Sequence, residues 1–375
     1  MKTDRTNKEI IHEMKLVQKW TEQTTRQIQT ITTDYCKYHR MTLEELLREA
    51  EEDEEQNIKI KKRRIKTRLH NYTLHLLERK LENSTILLYL AKIKQVYIYY
   101  DIEIPELHLS LQKNRETYTD ILTRAEIQRA VDTASLKMKA VITTLASSGL
   151  RRSDLCALRV EDFVEAVCRD NHHNINNDTA NLLGWISQVE KCDNIIPEFH
   201  IISRKTRTDH ITFCSHEATM YTLQMLRERC LKKDVLLSDS LFELKEKSVT
   251  ANFERISDKL CLERKKTRRR FHPHALRSFF ATTLTTNDVD YLSTEFLLGH
   301  RLGEVQSSYY HANPRKLRNK YVRILDKLTF TSEVAFVDLS SDEKQELEAL
   351  REQNESMKRR LYEIEETIDL LRSRV

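Results

Sequence analysis

Along the first hundred positions, apolar residues recur three and four apart, a spacing that puts them on one face of a helix. Residues 8–50 read as one or two amphipathic helices. The last segment of that stretch opens at Thr42, with Glu45 three positions on, the spacing of a capping box. Residues 59–82 read as a basic helix with Ile65, Leu69, Leu76 and Leu77 among its apolar positions. Ser84 is the expected N-cap of a further helix, whose Ile86, Tyr89, Leu90, Ile93 and Tyr97 share one buried face. Pro105 and the polar stretch to Thr119 read as a linker, with a domain boundary near 113–118. A second domain begins at Leu122, where Thr123 and Glu126 repeat the capping-box spacing. Two helices are expected around the turn at Ser147 to Leu150. Two short β runs follow, Phe199 to Ser203 and His210 to Cys214, joined by a polar basic turn in the manner of a hairpin. From Glu217 the pattern is helical to about Leu328.

The end of the chain changes grammar. Leu347, Leu350, Asn354, Met357, Leu361, Ile364, Ile368, Leu371 and Val375 alternate spacings of three and four without a break. That is a heptad seam, and Asn354 falls at an a position, where a buried amide fixes register and favours a parallel dimer. A lone amphipathic helix docked on the body is the alternative. The expected fold class is therefore mainly α with a small β-sheet. It divides into a helical N-terminal part over 1–115, a second domain over 116–330 and a coiled-coil tail over 338–375.

Composition sharpens this picture in three places. Four glycines and four prolines in 375 residues suit a helix-rich chain with few tight turns. The formal net charge is +5, but the last 38 residues hold eleven acidic and seven basic side chains, which leaves about +9 for the rest. Basic runs at Lys59 to Arg68 and Arg264 to Arg270 suit a polyanion, since each phosphate contact releases counterions; a solvated helix face would carry the same run. Seven cysteines without a C-x-x-C pair, no hydrophobic leader and no long apolar stretch lead to an expectation of a cytoplasmic protein with reduced thiols and no membrane partner.

Four segments carry candidate chemistry. Ser148-Gly-Leu-Arg-Arg-Ser-Asp lies mid-chain, with Arg151 directly after Gly-Leu. Much later comes His272-Pro-His-Ala-Leu-Arg, ending at Arg277. His300, in Leu297-Leu-Gly-His, lies 23 residues past that arginine, and Tyr309-Tyr310 begins nine residues past His300. In this order the segments resemble the catalytic domain of tyrosine recombinases, the phage-integrase type. Its pattern is an arginine after a Gly-Leu turn, a lysine on a β-hairpin, His-x-x-Arg, Leu-Gly-His and a tyrosine about nine residues on. The resemblance covers roughly 120–325. The helical segment before it is more weakly similar to that family's DNA-clamping core-binding domain, and the N-terminal part is most similar to archaeal members.

The resemblance implies a site-specific recombinase or integrase that cuts and rejoins double-stranded DNA through a 3′-phosphotyrosyl intermediate, with no metal, ATP or other cofactor. Carried onto this chain, Arg151 and Arg277 hold the non-bridging oxygens of the scissile phosphate. Such paired N–H donors stay protonated at cellular pH and suit the charge of a pentavalent transition state. Tyr309 is the nucleophile; its phenol, with an ordinary pKa near 10, needs a base. His274 is the base or proton shuttle, His300 bonds the phosphate or the tyrosine, and Lys205 protonates the departing 5′-oxygen. Asp154 corresponds to a buried acidic residue that orients the first arginine. Alternatives stay open at three places: Arg152 beside Arg151, Arg204 or Arg207 beside Lys205, and Tyr310 beside Tyr309. Tyr321 is read as core.

For DNA binding the candidates are Arg64 and Arg68 in the first basic run, Arg204 and Arg207 on the hairpin, and Lys265, Lys266, Arg268, Arg269 and Arg270 before His274. Such phosphate contacts hold a duplex without reading its sequence. Residues 163–198 are longer than the family's link at this place and read as a polar surface loop. Their Cys168, His172, His173 and Cys192 match no standard zinc spacing, so no metal is expected. Two other classes compete: a DNA-binding regulator or architectural protein that keeps the fold without catalysis, and a coiled-coil interaction protein. The expected assembly is a homo-oligomer, a dimer through the coiled coil and a tetramer in the synapse, working at the nucleoid.

Overall fold

The computed structural model describes residues 5–111, 121–170, 181–262, 269–303 and 313–330, and the backbone alone at 264, 265 and 268. The heptad seam, residues 171–180 and both Tyr309 and Tyr310 lie outside the described residues. Contacts divide the chain into two compact units, residues 1–116 and 117–375.

The first unit is a bundle of five helices: α1 (Asn7–Gln18), α2 (Glu22–His39), α3 (Leu43–Glu55), α4 (Arg64–Glu78) and α5 (Asn83–Tyr99). Three helices, not one or two, fill 8–50. The breaks fall at Lys19 and Arg40, both in the left-handed conformation at φ 51 and 54. Each is followed by a threonine cap: Thr21 accepts from Thr24 N and Thr42 from Glu45 N. The box at Thr42 is present, and a second one closes on Thr6 and Glu9. Helix α5 starts at Asn83, one residue before the expected cap, so Ser84 lies inside its first turn. Burial of Tyr35, Tyr72 and Tyr97 fills the centre, and the Tyr35 and Tyr97 hydroxyls meet at 3.3 Å.

The second unit is built around α7 (Leu136–Ser148), buried from Ala140 to its end and packed by α6 (Arg124–Thr133), α11 (His216–Cys230) and α13 (Pro273–Thr286). A helix covered on all sides needs small side chains and satisfied hydroxyls. Thr143 and Ser147 therefore donate back to the carbonyls of Lys139 and Thr143, at 2.8 and 2.7 Å. Gly149 ends α7 at φ 64, and a Cβ there would lie 2.3 Å from the Phe280 ring, so only glycine fits this turn. A short helix α8 (Arg152–Leu155) follows, then α9 (Val160–Cys168). Strands β1 (Glu198–Ile202) and β2 (Asp209–Phe213) pair antiparallel, Glu198 opposite Phe213 and Ile202 opposite Asp209. Helices α9, α14 (Tyr291–Leu297) and α15 (Pro314–Val322) contact this hairpin. Tyr321 is fully buried and donates to Ser147 O at 2.9 Å, as expected of a core residue.

Two expectations are corrected. The basic run is not helical: after α12 (Glu246–Lys259), Arg264–Lys265 (β3) and Arg268–Arg269 (β4) pair as a small antiparallel ribbon. The 163–198 segment is not simply a polar surface loop. It contains α10 (Leu182–Val189), which packs on α11 and buries Leu182, Trp185, Ile186 and Val189, with Trp185 edge-on to Phe163 at 6.3 Å. In the same segment, buried Asp170 accepts from Ile196 N at 2.8 Å and from Arg318 of α15 at 2.9 Å. This insert is part of the core, so Trp185→Ala should cost about 3–5 kcal/mol, read from the urea midpoint. A loss under about 0.5 kcal/mol, the range of surface substitutions, would return the segment to the surface.

Candidate active site

The site grows from two glycine turns. In the first, Gly149 and Leu150 lead into Arg151, the extended N-cap of α8. Arg151 donates through Nη1 to Ser203 Oγ and through Nη2 to Gly299 O, both at 3.0 Å. The second turn, Leu298-Gly299-His300, ends α14, with Gly299 at φ 62. Between them stands α13. His272 caps it by accepting from Ala275 N at 2.8 Å, and Pro273 opens its first turn, where a missing N–H costs nothing. Arg277 lies one turn further, buried, and its guanidinium spans both glycine turns. Nη1 donates to Gly149 O at 2.7 Å and Nη2 to Leu298 O at 2.5 Å.

A guanidinium has five N–H donors, so each arginine keeps donors beyond those held by the protein. Burial pushes Arg277 down to about 10, and the charge of Arg151 pushes the same way. Arg151 is also lowered, by burial, against the pull of Asp154. Two like charges thus lie within reach of each other in partly dry surroundings. Arg277 stays about three units above neutral pH and remains cationic.

Asp154 is 3 % exposed and fully engaged. It accepts from Ser203 Oγ and from Arg204 N, each at 3.0 Å, and Arg151 Nη1 lies 3.8 Å away. Of the two neighbouring arginines, Arg151 enters this cluster. Arg152 turns to α12, bonding Glu246 at 2.8 Å and Thr250 at 2.6 Å. The turn from β1 to β2 leaves Arg204, Lys205 and Arg207 exposed, with Arg207 left-handed at φ 52. His300 pairs its Nδ1 with Glu295 at 2.9 Å, and its N–H bonds the Glu295 carbonyl. His274 is exposed in the first turn of α13, three residues before Arg277 and hence on the same side of the helix. Tyr309 and Tyr310 lie outside the described residues.

Two contributors escaped sequence reasoning. Ser203 is the inward position after Phe199 and Ile201 on β1, and strand alternation would have placed it there. His210, opposite Ile201, is 2 % exposed, and a Cβ on Gly299 would sit 2.6 Å from its ring. The Leu-Gly-His glycine is thus demanded twice, by φ and by this imidazole. Backbone carbonyls, which carry the guanidiniums, leave no mark in a sequence.

The DNA-binding candidates separate into tied and displayed groups. Arg64 bonds Asp53 through Nε at 2.7 Å and Glu52 at 3.0 Å, and Arg68 grips Glu49 with two bonds at 3.0 and 2.8 Å. Arg269 takes Asp258 with two bonds at 3.0 Å, and Arg270 reaches Glu126 at 3.2 Å. Arg204 and Arg207 are exposed on the hairpin. The side chains of Lys265, Lys266 and Arg268 lie outside the described residues, as do His172 and His173. Among the described residues no cluster of three or more His, Cys, Asp or Glu could hold a metal ion, and no helix is long and apolar enough to cross a membrane.

The family model that matches this chain is that of the phage integrase family, over residues 114–316. Among curated proteins the chain is similar to tyrosine recombinase XerC of Halalkalibacterium halodurans, at 24% identity over 68% of this chain and 79% of the relative. It is also similar to tyrosine recombinase XerA of Saccharolobus solfataricus, at 20% identity over 66% and 70%. Its fold is similar to the Tn1549 transposon integrase solved with circular intermediate DNA. That likeness has a TM-score of 0.53 and 16% identity, and covers 85% of this chain and all of that one.

Burial holds His210 below its ordinary range, assisted by Arg151 and Arg277 and opposed by Asp154 and a hydrogen bond to Thr208. The unfolded chain takes up a proton near pH 6.5 that the folded one resists, so stability is lost as pH falls below that value. His39 of the first unit, held down to about 4, acts in the same direction. The melting temperature should therefore drop between pH 7 and pH 5, and drop less in His210→Gln. An identical drop in the variant would show that the imidazole is not held neutral.

Proposed function

This chain belongs to the phage integrase family, and we propose that it is a site-specific DNA recombinase that cuts and rejoins strands of double-stranded DNA through a tyrosine. The observation that carries the reading is the pair of guanidiniums, Arg151 and Arg277, fastened to the carbonyls of two neighbouring glycine turns. One backbone phosphate matches that pair in charge and in donor geometry.

In this reading the Tyr309 oxygen attacks phosphorus and passes its proton to His274. The P–O5′ bond breaks, its electron pair goes to the 5′-oxygen, and Lys205 supplies the proton. Arg151 and Arg277 take up the charge that grows on the non-bridging oxygens. His300, oriented by Glu295, bonds the phosphate or the tyrosine. One phosphoester is exchanged for another. A second 5′-hydroxyl reverses the step, and neither ATP nor metal enters the balance. Exposed Arg204 and Arg207 grip the duplex backbone together with the 264–270 ribbon, at a DNA site in the cytoplasmic nucleoid. The 338–375 seam supports dimerisation before a tetrameric synapse, with Asn354 setting its register.

A nicked suicide substrate should trap a covalent adduct with the native protein and with Tyr310→Phe, and none with Tyr309→Phe. Arg151→Ala or Arg277→Ala should slow adduct formation about 10²–10³-fold, and EDTA should leave the native rate unchanged. An adduct in Tyr309→Phe would overturn the nucleophile, and none in the native protein would favour a non-catalytic DNA-binding role. Deleting 338–375 should lower the mass seen by light scattering; an unchanged mass would remove the coiled-coil dimer.

A further inference from the structure

Six residues, Ser203 to Thr208, join β1 to β2, and Lys205 is exposed among them. A lysine on an open turn has a long stem with many rotamers, and proton delivery to one oxygen requires that freedom to be limited. The main chain is fastened on both sides of this lysine. On the near side, Ser203 Oγ accepts from Arg151 and donates to Asp154 Oδ2, and Arg204 N donates to Asp154 Oδ1, all at 3.0 Å. On the far side, Thr206 Oγ1 donates to Gly299 O at 3.4 Å, the same carbonyl that accepts from Arg151. The turn is closed at its base by Ser203 N to Thr208 O at 2.9 Å.

These contacts exceed what the hairpin needs. The main-chain bonds Ser203 N to Thr208 O and Arg207 N to Ser203 O close the turn on itself, and neither of them ties it to the two arginine-bearing turns. Ser203 is 0% exposed at a position whose strand neighbours on that face, Phe199 and Ile201, are apolar. A hydroxyl placed there carries a desolvation cost that only specific partners offset. Its partners are the first arginine and the carboxylate that also holds Arg204.

We propose that Ser203 and Thr206 are positioning residues that bracket Lys205 against the arginine pair, holding its ammonium at the leaving 5′-oxygen. The bracket ties two tasks to one frame: the groups that hold the phosphate also set the register of the group that protonates what departs. This rests on Lys205 being the general acid, and the test separates the two ideas.

The test compares two suicide substrates that differ only in the bridging atom at the scissile 5′ position, oxygen or sulfur. A departing thiolate is a far weaker base than an alkoxide and leaves without a proton. Single-turnover adduct formation is measured for Lys205→Ala, Ser203→Ala and Thr206→Val. Lys205→Ala should be slower by about 100-fold on oxygen and near native on sulfur. Ser203→Ala and Thr206→Val should each be slower by about 10-fold on oxygen, recover on sulfur, and keep the native half-saturating DNA concentration. Thr206 is only partly buried, so its variant carries the test should Ser203→Ala fail to fold. If Lys205→Ala recovers on sulfur while the other two stay slow, or are never slow, the bracket is overturned and the lysine stands. If Lys205→Ala stays slow on sulfur, the general acid falls and the bracket with it.

Discussion

Two positive charges drawn together out of water are the constraint that this site is built around. The Arg277 guanidinium is almost fully buried, and that of Arg151 is partly so. Their repulsion and desolvation both act to lower the pKa of Arg277. The fold offsets this with oxygens: the carbonyls of Gly149, Leu298 and Gly299, and the hydroxyl of Ser203. Neutral acceptors satisfy N–H groups without cancelling charge. Asp154 and Glu295 act in the opposite direction, and the Arg277 pKa is still lowered. A phosphate between the guanidiniums would relieve their repulsion. Preorganised charge of this kind needs no rearrangement at the moment of reaction.

That arrangement depends on closely packed parts of the second unit. Gly149 and Gly299 must both be left-handed for their neighbouring carbonyls to turn inward, and side chains on either glycine would strike Phe280 or His210. The buried helix α7 delivers the first turn, and Tyr321 of α15 is bonded to its last carbonyls through Ser147 O. Asp170 then ties α15 to the entrance of β1 through Arg318 and Ile196 N. The insert therefore helps fix the helix that immediately follows the tyrosine segment.

The sequence disclosed elements wherever side chains alone decide them. Thr42 with Glu45 and Thr123 with Glu126 announced their helices, and the two β runs were placed within a residue. It concealed features decided by backbone. Lys19 and Arg40 end helices in a conformation that glycine ordinarily signals, so three helices read as fewer. The 264–270 run has no alternation of apolar residues to mark its two-residue strands. Leu182, Trp185, Ile186 and Val189 form a helical stripe too short to outweigh the polar residues around it. For the site, Arg151 and Arg277, which bond the two glycine turns, were legible from motif order. Ser203 and His210 were not, because an inward-facing polar residue in a short strand looks like a break in the pattern.

Charge runs were the least faithful guide. Arg64, Arg68, Arg269 and Arg270 read as displayed cations, yet each is engaged by carboxylates of its own unit. A phosphate would have to compete for them, so they contribute less counterion release than their number suggests. Arg151 and Arg277 differ because their hydrogen-bond acceptors are neutral oxygens, with the Asp154 carboxylate 3.8 Å from Arg151. The most direct test uses a suicide substrate whose scissile phosphate is a methylphosphonate, which lacks one non-bridging oxygen and its charge. Rates of adduct formation should then depend far less on Arg151 and Arg277 than they do on a phosphodiester. If alanine at either position is as damaging on the neutral substrate as on the charged one, the arginines are not there to meet the phosphate's charge.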